Sequence, residues 1–160
     1  MDLVEFLTTR LDEDEQVARS ACKYAEASWH LDEEDEATIL WWPPEPHIAE
    51  KEREKGLPVV SDRWRGETIE YSGERIAPHI ARHDPARVLA EVDAKRRMVG
   101  LHGPATLHAG GGAAYFDTTR VCRSCEPPRQ FPETAYPCPT LRLLALPYAQ
   151  HPDYDEAWRP

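Results

Sequence analysis

The chain has 160 residues, 41% of them hydrophobic and 30% charged, with a formal net charge of −10. That length allows one domain with a core of its own, and the composition excludes both a disordered polar chain and a membrane-spanning one with long apolar runs. The charge is uneven: residues 1–80 hold 9 Lys/Arg against 20 Asp/Glu, a net of −11, and residues 81–160 hold 10 against 9, a net of +1, so a nucleic-acid backbone is disfavoured as a partner.

The opening "MDLVEFLTTRLDEDE" carries charge throughout and has no apolar core of a signal peptide, which places the expected location in the cytoplasm, away from membranes. Asp2 is a helix cap with Glu5 at the capping-box position. Leu3, Phe6, Leu7, Leu11, Val17, Ala18, Ala21 and Cys22 recur at helical spacing, which predicts a helix over about 2–26. Residues 29–75 read as a small sheet. "ATILWW" stops at Pro43-Pro44, and "HIAEKEREKG" at 47–56 is a polar helix or an exposed loop. "VVSDRW" and "ETIEY" are two strands around a turn at Arg65-Gly66, with Val60 and Asp62 alternating on one and Ile69 and Tyr71 sharing a face of the other. Trp29, Trp41, Trp42 and Trp64 are candidates to cover one side of that sheet.

Pro78 and Pro85 bracket a short helical turn. Asp84 then caps a second long helix with Pro85 at its first position, Val88, Leu89, Val92, Val99 and His102 on one stripe, and Gly103-Pro104 at its end. "HAGGGAAY" is a loop, and "AYFDTTRV" is a strand running into the cysteines. "PTLRLLALPYA" is a third helix that starts at Pro139 and is limited by Pro147. Tyr154 and Trp158 pin the tail back.

Three of the four cysteines fall within residues 122–138. Cys122 and Cys125 form C-x2-C, a spacing that presents two thiolates to one tetrahedral ion while the turn amides point at the sulfurs. Cys138 stands at the N-terminus of the third helix, where the helix dipole favours a thiolate. A structural zinc site needs a fourth ligand, and His102 is the choice because a helix end is a more rigid mount than the glycine loop around His108. Cys22 reads as a small core residue and His151 belongs to the tail. The expected site is His102, Cys122, Cys125 and Cys138 around one zinc ion. A disulfide, a redox pair and an iron–sulfur centre are the competing readings. They are set aside because a reducing compartment disfavours the first, "CRSCEPP" runs into prolines rather than a helix, and zinc is the commoner occupant of three cysteines and a histidine.

His79 and His83 lie one helical turn apart with Asp84 next to them, so a small metal-dependent hydrolase using these three is the alternative reading. No glutamate stands where a metalloprotease base would, and Asp84 is needed as a cap. Lys95, Arg96, Arg97, Arg120 and Arg123 are the residues a zinc-finger nucleic-acid binder would use, against the acidity of the first half. No residue takes a catalytic assignment.

Three blocks, "LVEFLTTRLDEDEQVAR", "HIARHDPARVLAEVDAKRRMVGLH" and "YPCPTLRLLALPYAQHPDYDEAWRP", together resemble a family of small actinobacterial and actinophage proteins of unknown function. The resemblance implies a helix-end histidine, a C-x2-C pair and a Pro-Cys before the last helix, which fall here on His102, Cys122, Cys125 and Cys138. It implies a reducing cytoplasm and supplies no activity. The sequence therefore predicts one α+β domain over 1–160. It comprises an N-terminal helix in 1–28, a small antiparallel sheet in 29–75, and a zinc-stapled region with two further main helices in 84–160. The expected function is a non-enzymatic interaction or regulatory module that docks an unidentified protein partner through the acidic runs 12–15 and 32–36.

Overall fold

A computed structural model of the chain describes residues 1–23, 27–31, 38–41, 57–60, 63–64, 67–68, 73–106, 120–125 and 136–160. Among these the fold is mixed α+β: four α-helices, small antiparallel sheets, and a Cys3His cluster toward the C-terminus. The chain falls into two compact units, residues 1–12 with 93–160 and residues 13–92.

Helix α1 spans Leu3–Ala21. It starts with the predicted capping box. Asp2 Oδ1 accepts from the Val4 and Glu5 amides at 2.9 Å each, and Glu5 Oε2 accepts from the Asp2 amide at 2.8 Å. These bonds satisfy donors that a helix start otherwise leaves open. Leu3, Phe6, Leu7 and Leu11 are buried, as their spacing requires. Arg10 shares their stripe and is only 6% exposed. Its guanidinium lies 5.4 Å from the Phe6 ring centroid, and Nη1 meets the ring nitrogens of His151, so a π face replaces part of the water that the cation gave up. Two expectations fail at the far end. Val17 is 72% exposed, and the helix stops at Ala21 rather than near 26. Periodicity says which residues share a face but not how far the core extends beneath it.

In the unit formed by residues 13–92, strands β1 (His30–Leu31), β2 (Ile39–Trp41) and β3 (Leu57–Val60) form one antiparallel sheet in that order, with a bulge between Ile39 and Leu40. Pro58 is tolerated because β3 is at the edge of the sheet among the described strands. Strands β4 (Arg63–Trp64) and β5 (Glu67–Thr68) pair on either side of positions 65–66, where the sequence predicts the turn. Residues 61–62 and 69–71 of the expected strands lie outside the described residues, and the sequence does not predict the pairing of β1 with β2. The reading of 47–56 as helix or loop, the faces assigned to Asp62, Ile69 and Tyr71, and the covering role of Trp42 lie outside the described residues.

Helix α2 (Gly73–Arg82) is a correction: the sequence predicts only a short turn between two prolines, yet ten residues are helical with Pro78 inside. Pro78 forfeits the amide bond to the carbonyl four residues back, but the helix continues until His83, whose amide still reaches the carbonyls of His79 and Ile80. Helix α3 (Pro85–Leu101) starts as predicted. Asp84 Oδ1 accepts from the Arg87 amide at 2.8 Å, and Oδ2 accepts from the Trp29 amide at 3.2 Å. A further bond, from the Ala86 amide to Ala27 O at 2.9 Å, stitches residues 27–29 to this helix start.

In the other unit, strands β6 (Pro104–Thr106) and β7 (Arg120–Cys122) form an antiparallel pair, followed by helix α4 (Pro139–Ala145) and 3-10 turns at Leu146–Tyr148 and Glu156–Trp158. Its core joins Leu3, Phe6, Leu7, Cys122, Cys138, Leu141, Ala145 and Tyr154. The Phe6 ring meets Tyr148, Tyr154 and Trp158 at centroid distances of 6.3, 6.0 and 5.0 Å, which is how the tail is pinned. Among the described residues no helix is long and apolar enough to cross a membrane.

Candidate metal centre

His102 follows the last turn of α3, its amide still bonded to Met98 O at 3.0 Å. Gly103 then leads directly into β6. The β6–β7 register pairs Pro104 with Cys122, Ala105 with Val121 and Thr106 with Arg120, and the Arg123 amide donates to Gly103 O at 3.0 Å. A helix end and a strand end therefore meet, and His102 comes to lie beside Cys122. The turn after β7 brings Cys125 back toward the same point, with Ser124 Oγ donating to Leu101 O. Cys138 arrives from a third direction. The Tyr136 amide donates to Arg120 O at 3.2 Å, the Arg120 guanidinium lies 5.5 Å from the Tyr136 ring centroid, and Arg142 Nε donates to Pro137 O at 3.1 Å. These contacts set Cys138 at the N-cap of α4 with Pro139 next.

The result is convergent. His102 Nδ1 lies 3.4 Å from Cys122 Sγ, 3.3 Å from Cys125 Sγ and 3.5 Å from Cys138 Sγ, and one ligand atom from each residue lies within 4.8 Å of all the others. A tetrahedral ion with bonds of about 2.3 Å to sulfur and about 2.05 Å to nitrogen spans N···S edges of about 3.6 Å. The three observed distances fall within a few tenths of an ångström of that edge, so these residues could hold a metal ion at Nδ1. Cys122 and Cys138 are fully buried; Cys125 and His102 are half-buried.

The thiols are not equivalent. Burial pushes the Cys125 thiol up to about 11, with hydrogen bonding to Cys122 and Cys138 adding to it. Burial also works to raise Cys138, but the Leu141 amide, the neighbouring thiols and the Thr140 amide outweigh it and hold this thiol below its ordinary value. The sulfur makes no side-chain capping hydrogen bond of normal geometry, yet the first-turn amides of Leu141 and Thr140 lie close enough to favour its thiolate.

The other singled-out residues are placed differently. The exposed His79 and His83 rings, one in the last turn of α2 and one just past its end, have centroids 4.5 Å apart, while both carboxylate oxygens of Asp84 accept backbone amides. Among the described residues, the Cys3His set is the one group of three or more such side chains close enough to share an ion. Cys22 is half-buried outside that group. His151 packs edge-on to Phe6 at 5.8 Å and takes Arg10, a structural pairing the sequence reading missed. Its signal was present, since Arg10 is spaced three and four residues from Leu7 and Phe6. His108 lies outside the described residues. Of the basic residues, Arg96 pairs with Asp12 at 2.6 Å and Arg97 with Asp93 at 2.8 Å.

Fold and cluster together define an α+β protein with a three-cysteine, one-histidine group competent to bind metal. A family of unknown function (DUF6221) matches residues 1–160, and the chain belongs to that family. No curated protein and no solved structure matches it.

Proposed function

We propose that the chain is a non-enzymatic interaction or regulatory module in which His102, Cys122, Cys125 and Cys138 hold one structural zinc ion. The observation that carries the reading is the approach of three sulfurs to a single imidazole nitrogen at 3.3–3.5 Å. Three thiolates and an imidazole suit zinc, and four protein ligands leave no open position for a substrate, the mark of a structural rather than a catalytic site. The ion would tie the end of α3, the turn after β7 and the start of α4 to one point. Metal binding of this kind contributes roughly 10 kcal/mol or more of apparent folding free energy in small zinc modules.

Charge supports a basic protein as the partner. Residues 13–92 hold 19 Asp/Glu against 10 Lys/Arg, whereas residues 1–12 with 93–160 hold 10 against 9. Within the run 12–15, Asp12 is engaged by Arg96 and Glu15 by Arg19. The docking surface therefore calls on acids elsewhere in 13–92, the run 32–36 among them. Elemental analysis of anaerobically purified protein tests the site: one zinc per chain is expected, with loss in His102→Ala and Cys122→Ser. A metal content of zero in the unaltered chain overturns it. Affinity capture from host lysate tests the docking, with capture expected to fail when the acids at 32–36 are changed to Lys. Capture that survives those changes overturns the acidic surface.

A further inference from the structure

The pair His79 and His83 has no part in the zinc reading, and its geometry carries an inference of its own. The two side chains stand at i and i+4, His79 in the last turn of α2 and His83 just past its end, both exposed, with ring centroids 4.5 Å apart and ring planes inclined by 41°. Among the described residues neither ring makes a hydrogen bond or an ion pair, so nothing there fixes the tautomers or occupies the ring nitrogens. An ion about 2.05 Å from a ring nitrogen lies about 3.2 Å from that ring's centroid, so two cis imidazoles put their centroids about 4.5 Å apart at a right angle and about 5.2 Å apart at the tetrahedral angle. The observed separation matches the right-angled case.

We propose that His79 and His83 form a second metal site, an exchangeable chelate for a divalent d-block cation of octahedral or square geometry. It differs in kind from the Cys3His centre. Two imidazoles supply two ligands, no carboxylate of the described residues joins them, and Asp84, the nearest acid in sequence, is held by the Arg87 and Trp29 amides. The remaining coordination positions stay open. His83 also lines an open cavity of about 330 Å³ with Asp14, Val17, Trp29, Pro85 and Val88, which leaves room beside the ring for further ligands of the ion. Imidazole donors without thiolate select nickel, copper and zinc. With only two protein ligands, the ion leaves on buffer exchange, so the site does not alter the zinc count of the purified protein.

The test uses tag-free, zinc-loaded full-length protein titrated with Ni2+, whose cis positions lie at right angles. Calorimetry is expected to show one further equivalent, lost in His79→Ala and in His83→Ala and kept in His30→Ala, with zinc content unchanged in all three. Paramagnetic broadening of amide signals in the unaltered protein is expected to centre on residues 76–86, a readout independent of how the variants fold. The proposal is overturned by the absence of a nickel equivalent, by one that persists in both variants, or by broadening centred elsewhere. Zinc content is read separately, so failure of the Cys3His centre and failure of the histidine pair are told apart.

Discussion

Helices α3 and α4 begin alike and use their first side chain in different ways. α3 is preceded by Asp84 and opens on Pro85; α4 is preceded by Cys138 and opens on Pro139. Proline serves the same purpose in both, since its missing amide is one the first turn could not have satisfied. The caps diverge. Asp84 has both oxygens on backbone amides, at 2.8 and 3.2 Å, and is consumed in closing its own helix start. Cys138 makes no capping hydrogen bond and turns its sulfur to His102 at 3.5 Å. The local rule is shared, but one cap is committed to the helix and the other is left for a ligand. The helix start lends Cys138 its field and takes little from it in return.

The sharpest way to break this contrast is Cys138→Ser. Serine is a better N-cap than cysteine, so a side chain there for the helix would be improved by the change. If it is there for a metal, the protein loses one of four ligands. We expect zinc content to fall to near zero and most of the roughly 10 kcal/mol of metal-linked stability to be lost, read by elemental analysis and urea denaturation. Amide exchange should locate the damage at the Arg123 and Tyr136 amides, whose bonds to Gly103 and Arg120 frame the cluster. A serine variant as stable as the parent would mean that Cys138 does nothing beyond capping.

Phe6→Ala separates packing from metal on the same side of the comparison. Phe6 is fully buried in the core that contains Cys122 and Cys138 but is no ligand. Its removal should cost about 3–5 kcal/mol while zinc content stays at one per chain. Loss of zinc alongside would show that the cluster depends on its hydrophobic surround. The protons give a third handle. With the Cys125 thiol up at about 11, the metal-free protein carries that proton at neutral pH, and an entering ion must displace it. Affinity should therefore fall about tenfold, about 1.4 kcal/mol, per proton released for each unit the pH drops below that value. Calorimetry in buffers of different ionisation enthalpy counts the protons, with at least one expected at pH 7.

What could be read from the sequence follows the same division between local and distant causes. The capping box at Asp2 and Glu5, both Pro-led helix starts and the gathering of His102 with the three cysteines are written within a few residues of each side chain, or in the ordinary reach of a helix end and a C-x2-C turn. The three-stranded order β1-β2-β3 depends on partners up to 21 residues apart, Ile39 and Val60, and nothing in "ATILWW" names His30–Leu31 as its neighbour. The length of α2 was missed because Pro78 was given the weight of a terminator, whereas one lost hydrogen bond in ten residues did not end the helix. The burial of Arg10, which the sequence does not predict, and the exposure of Val17, which it places on the core stripe, have one cause. Helical phase fixes the face of a side chain, while burial depends on what lies opposite, and for Arg10 that is Phe6 and His151.

The smallest expected effect sits at the other helix start. Asp84→Ala removes the acceptors of the Arg87 and Trp29 amides and should destabilise by about 1–2 kcal/mol, the ordinary cost of a lost cap with one further bond. Asp84→Ser restores an acceptor for the Arg87 amide but cannot serve Trp29 as well, so it should recover only part of that loss. Zinc content should be unchanged in both, because both Asp84 oxygens are bonded to backbone amides and Asp84 is not one of the four clustered side chains. The serine substitution that empties the metal site at position 138 is thus expected to be nearly silent at position 84. A zinc loss at position 84, or a near-silent serine at position 138, would erase the distinction between a cap that closes its helix and one that lends its side chain to a metal.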